Sequence, residues 1–234
     1  MHRLGFAPSD MPELISRLER QTSVIPRSVF SHLVGSDSTQ FDAFTRKQIE
    51  TFEQASEELQ AAFSHKILRH ICNTAGIERY PGAQFDMVRL GLGLYGIDPF
   101  TNRVLHHVST LKTTILQIRD VPQEDSVGYS RKGRLNRPSR IAAIPIGYAD
   151  GLNRRLGNGR AYCLVNGQKA PYVGNICMDV CMIDVTDIEC KEGDKVIVFG
   201  NELPVTVLSD VLETIPYEIL TSVSNRVKRI YFQD

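Results

Sequence analysis

The sequence of 234 residues has no net charge, no long apolar run and no Cys-x-x-Cys pair. Basic and acidic residues number 27 each, so no overall field would concentrate nucleic acid or anionic lipid around the protein. No apolar run approaches the ~20 residues that a membrane-spanning helix needs. Arg3, Asp10 and Glu13 interrupt the N-terminal stretch in which a signal peptide would carry its apolar core. These absences predict a soluble cytoplasmic protein and argue against nucleic-acid-binding and membrane-bound classes.

The cysteines are odd in number and irregularly spaced. They are Cys72, Cys163, Cys177, Cys181 and Cys190. Such a set is more typical of free thiols in a reducing compartment than of a disulfide framework or a zinc site. Cys177 and Cys181 are four residues apart, but no histidine pair or carboxylate cluster lies beside them. We therefore predict core cysteines and no metal.

The hydrophobic pattern changes near residue 100, which predicts two domains, 1–100 and 101–234. In the first domain strand-like runs alternate with helical runs, an order typical of parallel β-α units. Its predicted strands are 28–34, 67–72 and 85–90, and its predicted helices are 12–21, 37–63 and 74–79. The second domain is predicted to be mainly β, with strands at 105–121, 140–146, 160–165, 180–185, 195–199 and 226–231 and one helix at 207–213.

The first domain is too short to close on itself. Three β-α units cannot form an eight-unit barrel, and a thin open parallel sheet leaves strand edges without partners. The chain also begins with Met-His-Arg-Leu-Gly, which resembles the middle of a domain more than its start. We therefore expect a fragment of a longer protein, or a partner that completes the sheet.

Polar residues and glycines follow each predicted strand of the first domain. They are His32 after the first strand, Asn73 and Thr74 after the second, and Arg89 and Gly91 after the third. Individually, such residues more often cap a helix, form a turn or make a structural hydrogen bond. Because the carboxyl ends of parallel strands lie at one edge of a sheet, however, these groups converge where active sites of α/β folds are built. Glycine N–H groups and a hydroxyl at a helix start favour a phosphate-bearing ligand there.

The second domain contains three distinctive loops. They are Ser126-Val-Gly-Tyr-Ser130, Ile144-Pro-Ile-Gly-Tyr-Ala-Asp-Gly151 and Gly174-Asn-Ile-Cys-Met-Asp179. In isolation, a Gly-Tyr-Ala-Asp-Gly segment is usually a tight turn with a packed tyrosine. Together with the groups of the first domain, however, these loops resemble the alanine racemase family, whose members interconvert L- and D-alanine. The resemblance runs the whole length, and the second and third loops are its most specific part.

The resemblance implies a fold that is α/β plus all-β. Residues 1–100 would be the C-terminal part of a (β/α)8 TIM-type barrel that binds pyridoxal 5′-phosphate, and residues 101–234 would be the C-terminal β-domain. The family also implies a homodimer whose active site is shared between subunits, and a role in supplying D-alanine for peptidoglycan. Its cofactor lysine has no counterpart here, because Lys47 and Lys66 belong to a helical stretch outside the family's lysine motif. We therefore expect the C-terminal two thirds of a racemase, nearly inactive alone.

The resemblance also assigns roles to individual residues. Arg89 would donate to the pyridine nitrogen of the cofactor, which would stay unprotonated because a guanidinium does not readily give up its proton. Tyr129 matches one of the family's two bases and would reach into the partner subunit's barrel. A free tyrosine has a pKa of ~10, so Tyr129 would need help to act as a base, which His32 and Arg89 would supply. The remaining matches are Thr74, Gly91 and Leu92 at the cofactor phosphate, Asn73 and His32 lining the cofactor, Arg3 and the backbone N–H of Met178 at the substrate carboxylate, and Tyr148 and Asp179 near the substrate.

One position departs from the family pattern. The family usually has a phosphate-binding tyrosine before the Arg-Val pair near the C-terminus, but Asn225 stands here, which predicts altered phosphate affinity. The ending Arg-Val-Lys-Arg-Ile-Tyr-Phe-Gln-Asp also resembles racemases fused behind a ligase that adds D-Ala-D-Ala to the peptidoglycan precursor, which is a hypothesis for the parent protein. Two alternatives stay open: a non-catalytic fragment that holds the cofactor or dimerises, and a racemase of another small amino acid.

Overall fold

The structure, a computed structural model, describes residues 1–232 and divides into two compact units. Unit 1 is Met1–Arg103 and unit 2 is Val104–Asp234. Gln233 and Asp234, which end the C-terminal motif, lie outside the described residues. Within residues 1–232, no helix is long and apolar enough to cross a membrane.

Unit 1 is built on two short parallel strands with helices between and after them. β1 (Ser28–Phe30) pairs with β2 (Leu68–His70), and Phe30 lies opposite His70 in register. The helices are α1 (Met11–Arg20), α2 (Asp42–Ala61) and α3 (Thr74–Arg79), and 3-10 turns cover Pro8–Asp10, Thr39–Phe41, Pro81–Ala83 and Leu92–Tyr95. The predicted β-α-β order is confirmed, with shorter strands than the pattern predicts.

Helix α2 is fixed to the sheet by one buried face. Phe52, Ser56 and Leu59 lie on this face because they recur at intervals of three or four residues. Phe52 packs in one core cluster with Ile71, which directly follows β2, and Leu59 packs in a second cluster with Met11 of α1. The loops after the strands are thereby left to line the carboxyl edge of the sheet.

The third predicted strand of unit 1, which begins at Phe85, does not form. Phe85 has a φ of 48°, well outside the extended region. The segment still runs beside β2 through two backbone hydrogen bonds, from Asp86 N to Arg69 O (3.1 Å) and from Arg89 N to Cys72 O (3.0 Å). These bonds do not continue into the regular ladder of a parallel strand, but they place Arg89 at the end of β2.

Unit 2 is a β-domain with two helices near its end. Its strands are β3 (Leu111–Thr114), β4 (Gln117–Val121), β5 (Ser126–Val127), β6 (Gly133–Arg134), β7 (Ser139–Ile144), β8 (Tyr162–Val165), β9 (Gln168–Val173), β10 (Cys181–Asp184) and β11 (Lys195–Phe199). Seven of them form an antiparallel sheet in the order β3-β11-β8-β9-β10-β7-β4, while β5 and β6 form a separate hairpin. The helices are α4 (Val205–Leu212) and α5 (Pro216–Ser222).

The predicted turn between β8 and β9 is confirmed. Asn166 and Gly167 have φ values of 49° and 76°, which the two central residues of this type of hairpin turn require. The sequence pattern did not predict β9 itself, although a tight turn after β8 requires a returning strand. Tyr172 of β9 is fully buried in the core beside Cys163 and Cys181.

Two predictions for unit 2 are wrong. The long strand predicted from Leu105 begins only at Leu111 and breaks after Thr114, because β3 pairs with β11 whereas β4 pairs with β7. The predicted final strand is not formed, and Val227 N instead donates to Ser224 O in a turn. Helix α5, which the pattern did not predict, precedes this turn.

All five cysteines are free thiols. Cys181 is buried in β10 as predicted, whereas Cys177 is only half-buried because it lies in a loop before the strand. Within the described part of the chain, no group of three or more His, Cys, Asp or Glu residues could hold a metal ion.

Candidate functional site

Unit 1 gathers the polar residues that follow its strands around the guanidinium of Arg89. Nη2 of Arg89 donates to the carbonyl oxygens of Ser31 (2.6 Å) and Ile71 (3.2 Å), which lie just after β1 and β2. Nη2 also lies 3.5 Å from Nδ1 of His32. Arg89 therefore bridges the carboxyl ends of both strands, and the predicted convergence of His32 and Arg89 is confirmed.

His70 belongs to this group, although the sequence pattern gave it no functional role. Its Nδ1 lies 3.0 Å from Nη1 of Arg89, and its side chain is buried. The Phe30 ring stacks on the imidazole with centroids 5.1 Å apart, and the Arg89 guanidinium lies 4.9 Å from the Phe30 centroid. A histidine inside a predicted strand was the signal that could have identified it.

Both histidines near Arg89 are held neutral. Burial lowers the pKa of His70, and the charge of Arg89 lowers it further. The pKa of His32 is lowered by burial, by Arg89 and by the nearby charges of Arg3 and the N-terminus. A neutral imidazole accepts at one ring nitrogen, so Nδ1 of His70 accepts from Nη1 of Arg89.

The charge of Arg89 is not matched by a carboxylate among the described residues. Burial lowers its pKa, and the recorded partners of its guanidinium are carbonyl oxygens and imidazole nitrogens. A guanidinium has five N–H donors, and Nε and one proton of Nη1 have no acceptor within residues 1–232. The group can therefore donate to a further acceptor, such as a ring nitrogen or an anion.

Thr74 and the glycine-rich loop form a second contact at the same edge. The backbone N–H groups of Gly91 (2.9 Å) and Gly93 (3.4 Å) donate to Oγ1 of Thr74. Because Oγ1 of Thr74 acts as the acceptor in both hydrogen bonds, the proton of this hydroxyl remains available for donation to a ligand. A Cβ added at Gly93 would lie 2.9 Å from Cγ2 of Thr74, so a larger residue there would displace the Thr74 side chain. Leu92 begins the 3-10 turn that follows, where the first N–H groups have no partner within the helix.

Asn73 is the N-cap residue of α3. Its Oδ1 accepts from the backbone N–H of Gly76 (2.9 Å) and from Oγ of the buried Ser36 (2.8 Å). These two hydrogen bonds give Asn73 a structural role as the cap of α3. They also fix Thr74 at the first position of the helix. Asn73 therefore supports the cradle formed by Thr74 and Gly91.

In unit 2, Tyr148, Met178 and Asp179 lie on two loops that are bonded to each other. Residues 147–151 form the tyrosine loop and residues 176–180 form the methionine loop. The backbone N–H of Tyr148 donates to Cys177 O (3.0 Å), and that of Ala149 donates to Met178 O (3.0 Å). A Cβ added at Gly147 would lie 2.2 Å from Met178 O, so the two backbones are in close contact. Tyr148 and Met178 remain 44% and 53% exposed.

Arg226 joins both loops to the C-terminal turn. Nε donates to Oδ1 of Asp150 and Nη2 donates to Oδ1 of Asp179, both at 2.7 Å. Burial alone would raise the pKa of Asp150, but the hydrogen bonds from Arg226 and Gly147 outweigh it and lower the pKa. The same two carboxylates raise the pKa of Arg226.

Tyr129 is presented on the loop between β5 and β6. Gly128 before it has a φ of 78°, and Ser130 and Arg131 after it have φ values of 56° and 52°. Tyr129 is 70% exposed on this unusual backbone, while Nδ2 of Asn175 donates weakly to Tyr129 O (3.4 Å). The phenol is therefore free to engage a group outside this loop.

The candidate residues thus form two groups, each described within its own unit. Unit 1 brings together His32, Asn73, Thr74, Arg89, Gly91 and Leu92, with exposed Arg3 close enough to affect the pKa of His32. Unit 2 brings together Tyr148, Met178 and Asp179, and presents Tyr129 on a separate hairpin.

The chain matches two family models that together cover most of its length. Residues 1–99 match the description "Alanine racemase, N-terminal domain", and residues 108–231 match "Alanine racemase, C-terminal domain". Among similar proteins, alanine racemase 2 of Caldanaerobacter subterraneus subsp. tengcongensis is 39% identical over 99% of this chain. The alanine racemase of Aeromonas hydrophila is 38% identical over 97% of it. The chain spans 62% and 63% of the lengths of these two relatives.

Solved structures with similar folds carry the same description. The alanine racemase of Bacillus anthracis with bound L-Ala-P superposes with a TM-score of 0.90 and is 30% identical, over 100% of this chain and 62% of that one. The alanine racemase of Bartonella henselae with covalently bound pyridoxal phosphate gives a TM-score of 0.83 at 33% identity, over 99% of this chain and 64% of that one.

Proposed function

Because the chain belongs to the alanine racemase family, we propose that it is part of a pyridoxal 5′-phosphate-dependent isomerase that interconverts L- and D-alanine. The observation that carries this proposal is the half-buried Arg89, which no carboxylate among the described residues neutralises and which lies at the same sheet edge as the Thr74–Gly91 cradle. The chain covers less than two thirds of the relatives, so the activity proposed is that of the longer protein.

The residues at the edge of unit 1 fit this cofactor. Arg89 offers free N–H donors and no acceptor, which suits a pyridine nitrogen that carries no proton. The hydroxyl of Thr74 and the backbone N–H of Leu92 suit a phosphate, and the Gly91 N–H, which donates to Oγ1 of Thr74, would orient that hydroxyl. Asn73 and His32 would line the site. Asn225 is exposed and would bind the phosphate less effectively than the tyrosine that is usual in the family.

The chain's own residues would bind alanine and move its proton. When bound, pyridoxal phosphate withdraws electrons from Cα and makes its proton more acidic. Tyr129 would remove or return the proton on one face of Cα, since racemisation needs one group to take it and another to restore it from the opposite side. The neutral His32 and His70 next to Arg89 would keep the guanidinium oriented toward the ring nitrogen.

We propose substrate-binding roles for four residues. Arg3 and the backbone N–H of Met178 would bind the substrate carboxylate, and Tyr148 would narrow the entrance, with Asp179 near the substrate. We propose residues 1–100 as the C-terminal part of a TIM-type barrel and residues 101–234 as the β-domain. We also propose a homodimer with an active site shared between subunits, in the cytoplasm, supplying D-alanine for peptidoglycan.

A cofactor lysine is missing from this scheme. The two lysines of unit 1 are exposed and paired: Lys47 with Glu50 (3.5 Å) and Lys66 with Asp86. Lys66 lies in the loop before β2 and not in the helical stretch to which the sequence pattern assigned it. Neither lysine contacts Arg89. We therefore propose that the lysine comes from upstream sequence of the parent protein, in which fusion to a D-Ala-D-Ala-adding ligase is a further hypothesis.

Because neither lysine of unit 1 contacts Arg89, we also keep a second candidate function, in which this chain holds the cofactor or dimerises without catalysing a reaction. The two candidates differ in whether an upstream segment restores turnover. A racemase of another small amino acid would differ from both in the substrate that it converts.

The first experiment measures conversion of L- to D-alanine with added pyridoxal phosphate, for the 234-residue chain and for the parent chain that includes the upstream segment. We expect activity only in the longer protein, and a lower rate there in at least one direction for Tyr129→Phe. Tyr231→Phe, which removes another exposed hydroxyl of unit 2, is the matched control and should leave the rate unchanged. Activity in neither protein would contradict the proposal, and activity in the short chain would contradict the requirement for an upstream lysine.

A further inference from the structure

We propose that Arg226 is a positioning residue that locks the methionine loop to the tyrosine loop and thereby sets the position of the Met178 N–H that receives the substrate carboxylate. This inference rests on the proposed function, which assigns the Met178 N–H to the substrate. No role for Arg226 follows from the sequence pattern, which predicts that it begins a strand.

The geometry of Arg226 is that of a bridge between two carboxylates on different loops. Nε binds Asp150 of the tyrosine loop and Nη2 binds Asp179 of the methionine loop, each at 2.7 Å. Both hydrogen bonds join charged partners, which makes them shorter and stronger than neutral ones. The fixed angle between Nε and Nη2 therefore fixes the separation of the two loops, which a lysine with a single nitrogen could not do.

The backbone around the bridge transmits this position to the site. Asp150 accepts at Oδ2 from the N–H of Gly147 (2.8 Å), and its carbonyl oxygen accepts from the N–H of Ser224 (3.0 Å). Asp179 directly follows Met178, whose carbonyl oxygen accepts from Ala149. The preceding peptide carries both the Met178 N–H and Cys177 O, which accepts from the N–H of Tyr148 (3.0 Å). Because only Met178 separates that peptide from Asp179, displacement of the Asp179 carboxylate would shift the Met178 N–H.

The bridge lies at the surface of unit 2, with only the Asp150 carboxylate largely buried. The side chains of Arg226 and Asp179 are 46% and 59% exposed, and exposed pairs are screened by solvent. The Asp150 side chain is 14% exposed and keeps its hydrogen bond from the Gly147 N–H when Arg226 is replaced. The sheet of unit 2 is stabilised by its own ladder and buried core. Loss of Arg226 should consequently loosen the two loops and leave the sheet intact.

The first test is hydrogen exchange in the 234-residue chain, which requires no catalytic activity. In Arg226→Met, we expect the amides of Tyr148 and Ala149 to exchange about fivefold faster, with the amides of β8 and β9 unchanged. Arg226→Lys should be intermediate. The control is Arg137→Met, which removes a different exposed arginine–aspartate pair, formed with Asp187, and should leave the loop amides unchanged. Unchanged loop exchange in Arg226→Met, or an equal increase across the sheet, would overturn the proposal.

The second test separates positioning from a purely structural role. In the parent enzyme that includes the upstream segment, Arg226→Met should raise KM for alanine more than it lowers kcat, with partial rescue by Arg226→Lys. An unchanged KM would overturn the link between the bridge and the carboxylate site. If the wild-type parent converts no alanine, the proposed function fails, and the exchange experiment still decides whether Arg226 locks the loops.

Discussion

At the scale of single residues, Arg89 and Arg226 show that the same type of side chain serves two different roles in this protein. Arg89 is half-buried among carbonyl oxygens and neutral imidazoles, with donors left for a ligand. Arg226 is exposed and its charge is shared between two carboxylates of this chain. The first arrangement suits ligand binding and the second suits the alignment of loops. Sequence position pointed to Arg89, at the end of a predicted strand, but gave no indication of the role of Arg226.

The buried hydroxyl of Tyr172 allows a test of how an unpaired polar group affects the stability of the unit 2 core. Its hydroxyl is buried and has no hydrogen-bond partner among the described residues, and burial raises its pKa well above the ordinary range. A buried polar group without a partner costs about 1–3 kcal/mol, so Tyr172→Phe should leave the free energy of unfolding unchanged or increase it. Urea denaturation of unit 2 measures this difference.

The contrasting variant is Tyr80→Phe in unit 1. The hydroxyl of Tyr80 donates to Oδ1 of Asp42 (2.8 Å), so its removal should destabilise unit 1. A loss of more than about 1 kcal/mol in Tyr172→Phe would show that the hydroxyl has a partner, such as a bound water molecule, and would contradict the prediction.

At the scale of elements, the loops of both units are shaped by close backbone approach more than by local propensity. The segment after Phe85 has the composition of a strand but lacks a regular partner ladder. The tyrosine loop, by contrast, has no regular structure beyond one 3-10 turn, and is fixed by backbone hydrogen bonds to the methionine loop. In both cases the neighbouring chain decides the conformation.

Gly147 allows the contact between these loops to be tested. A Cβ there would meet Met178 O at 2.2 Å and Cys177 O at 2.4 Å, and neither backbone atom can swing aside as a side chain would. Gly147→Ala should therefore destabilise unit 2 by about 1–3 kcal/mol, the usual range for overpacking. Urea unfolding gives the value. Gly82→Ala, where a Cβ has open space, is the control, and an equally small effect in both variants would contradict this account.

At the scale of the whole molecule, the two units differ in how completely they bury their apolar surface. Unit 2 has a seven-stranded sheet with fully buried residues from several strands. Unit 1 has only two paired strands, and several large apolar side chains near them are exposed: Phe30, Leu68, Met87, Val88, Leu90 and Leu94. Two strands alone form a marginally stable sheet, and exposed apolar groups of this kind favour association.

The two units should consequently behave differently when they are produced separately. Residues 104–234 should be monodisperse and unfold cooperatively in urea, because their sheet and core are complete within the unit. Residues 1–103 should self-associate or aggregate. Size-exclusion chromatography and circular dichroism distinguish these outcomes. An unfolded 104–234 fragment, or a monomeric and cooperatively folding 1–103 fragment, would contradict the prediction.

The amino-acid pattern alone predicted the β-α-β order of unit 1 and one hairpin of unit 2, and it selected His32, Thr74 and Arg89 as candidate residues. Alternation of strand-like and helical runs predicted the β-α-β order of unit 1, and Asn166-Gly167 predicted a hairpin, because both signals depend on local spacing and φ preference. Tertiary structure decided which extended segments become strands, since a strand such as β4 exists only where a neighbour supplies hydrogen bonds. It also decided that His70 lies beside Arg89 and that Arg226 joins Asp150 to Asp179, because those contacts join residues 19 to 76 positions apart in the chain.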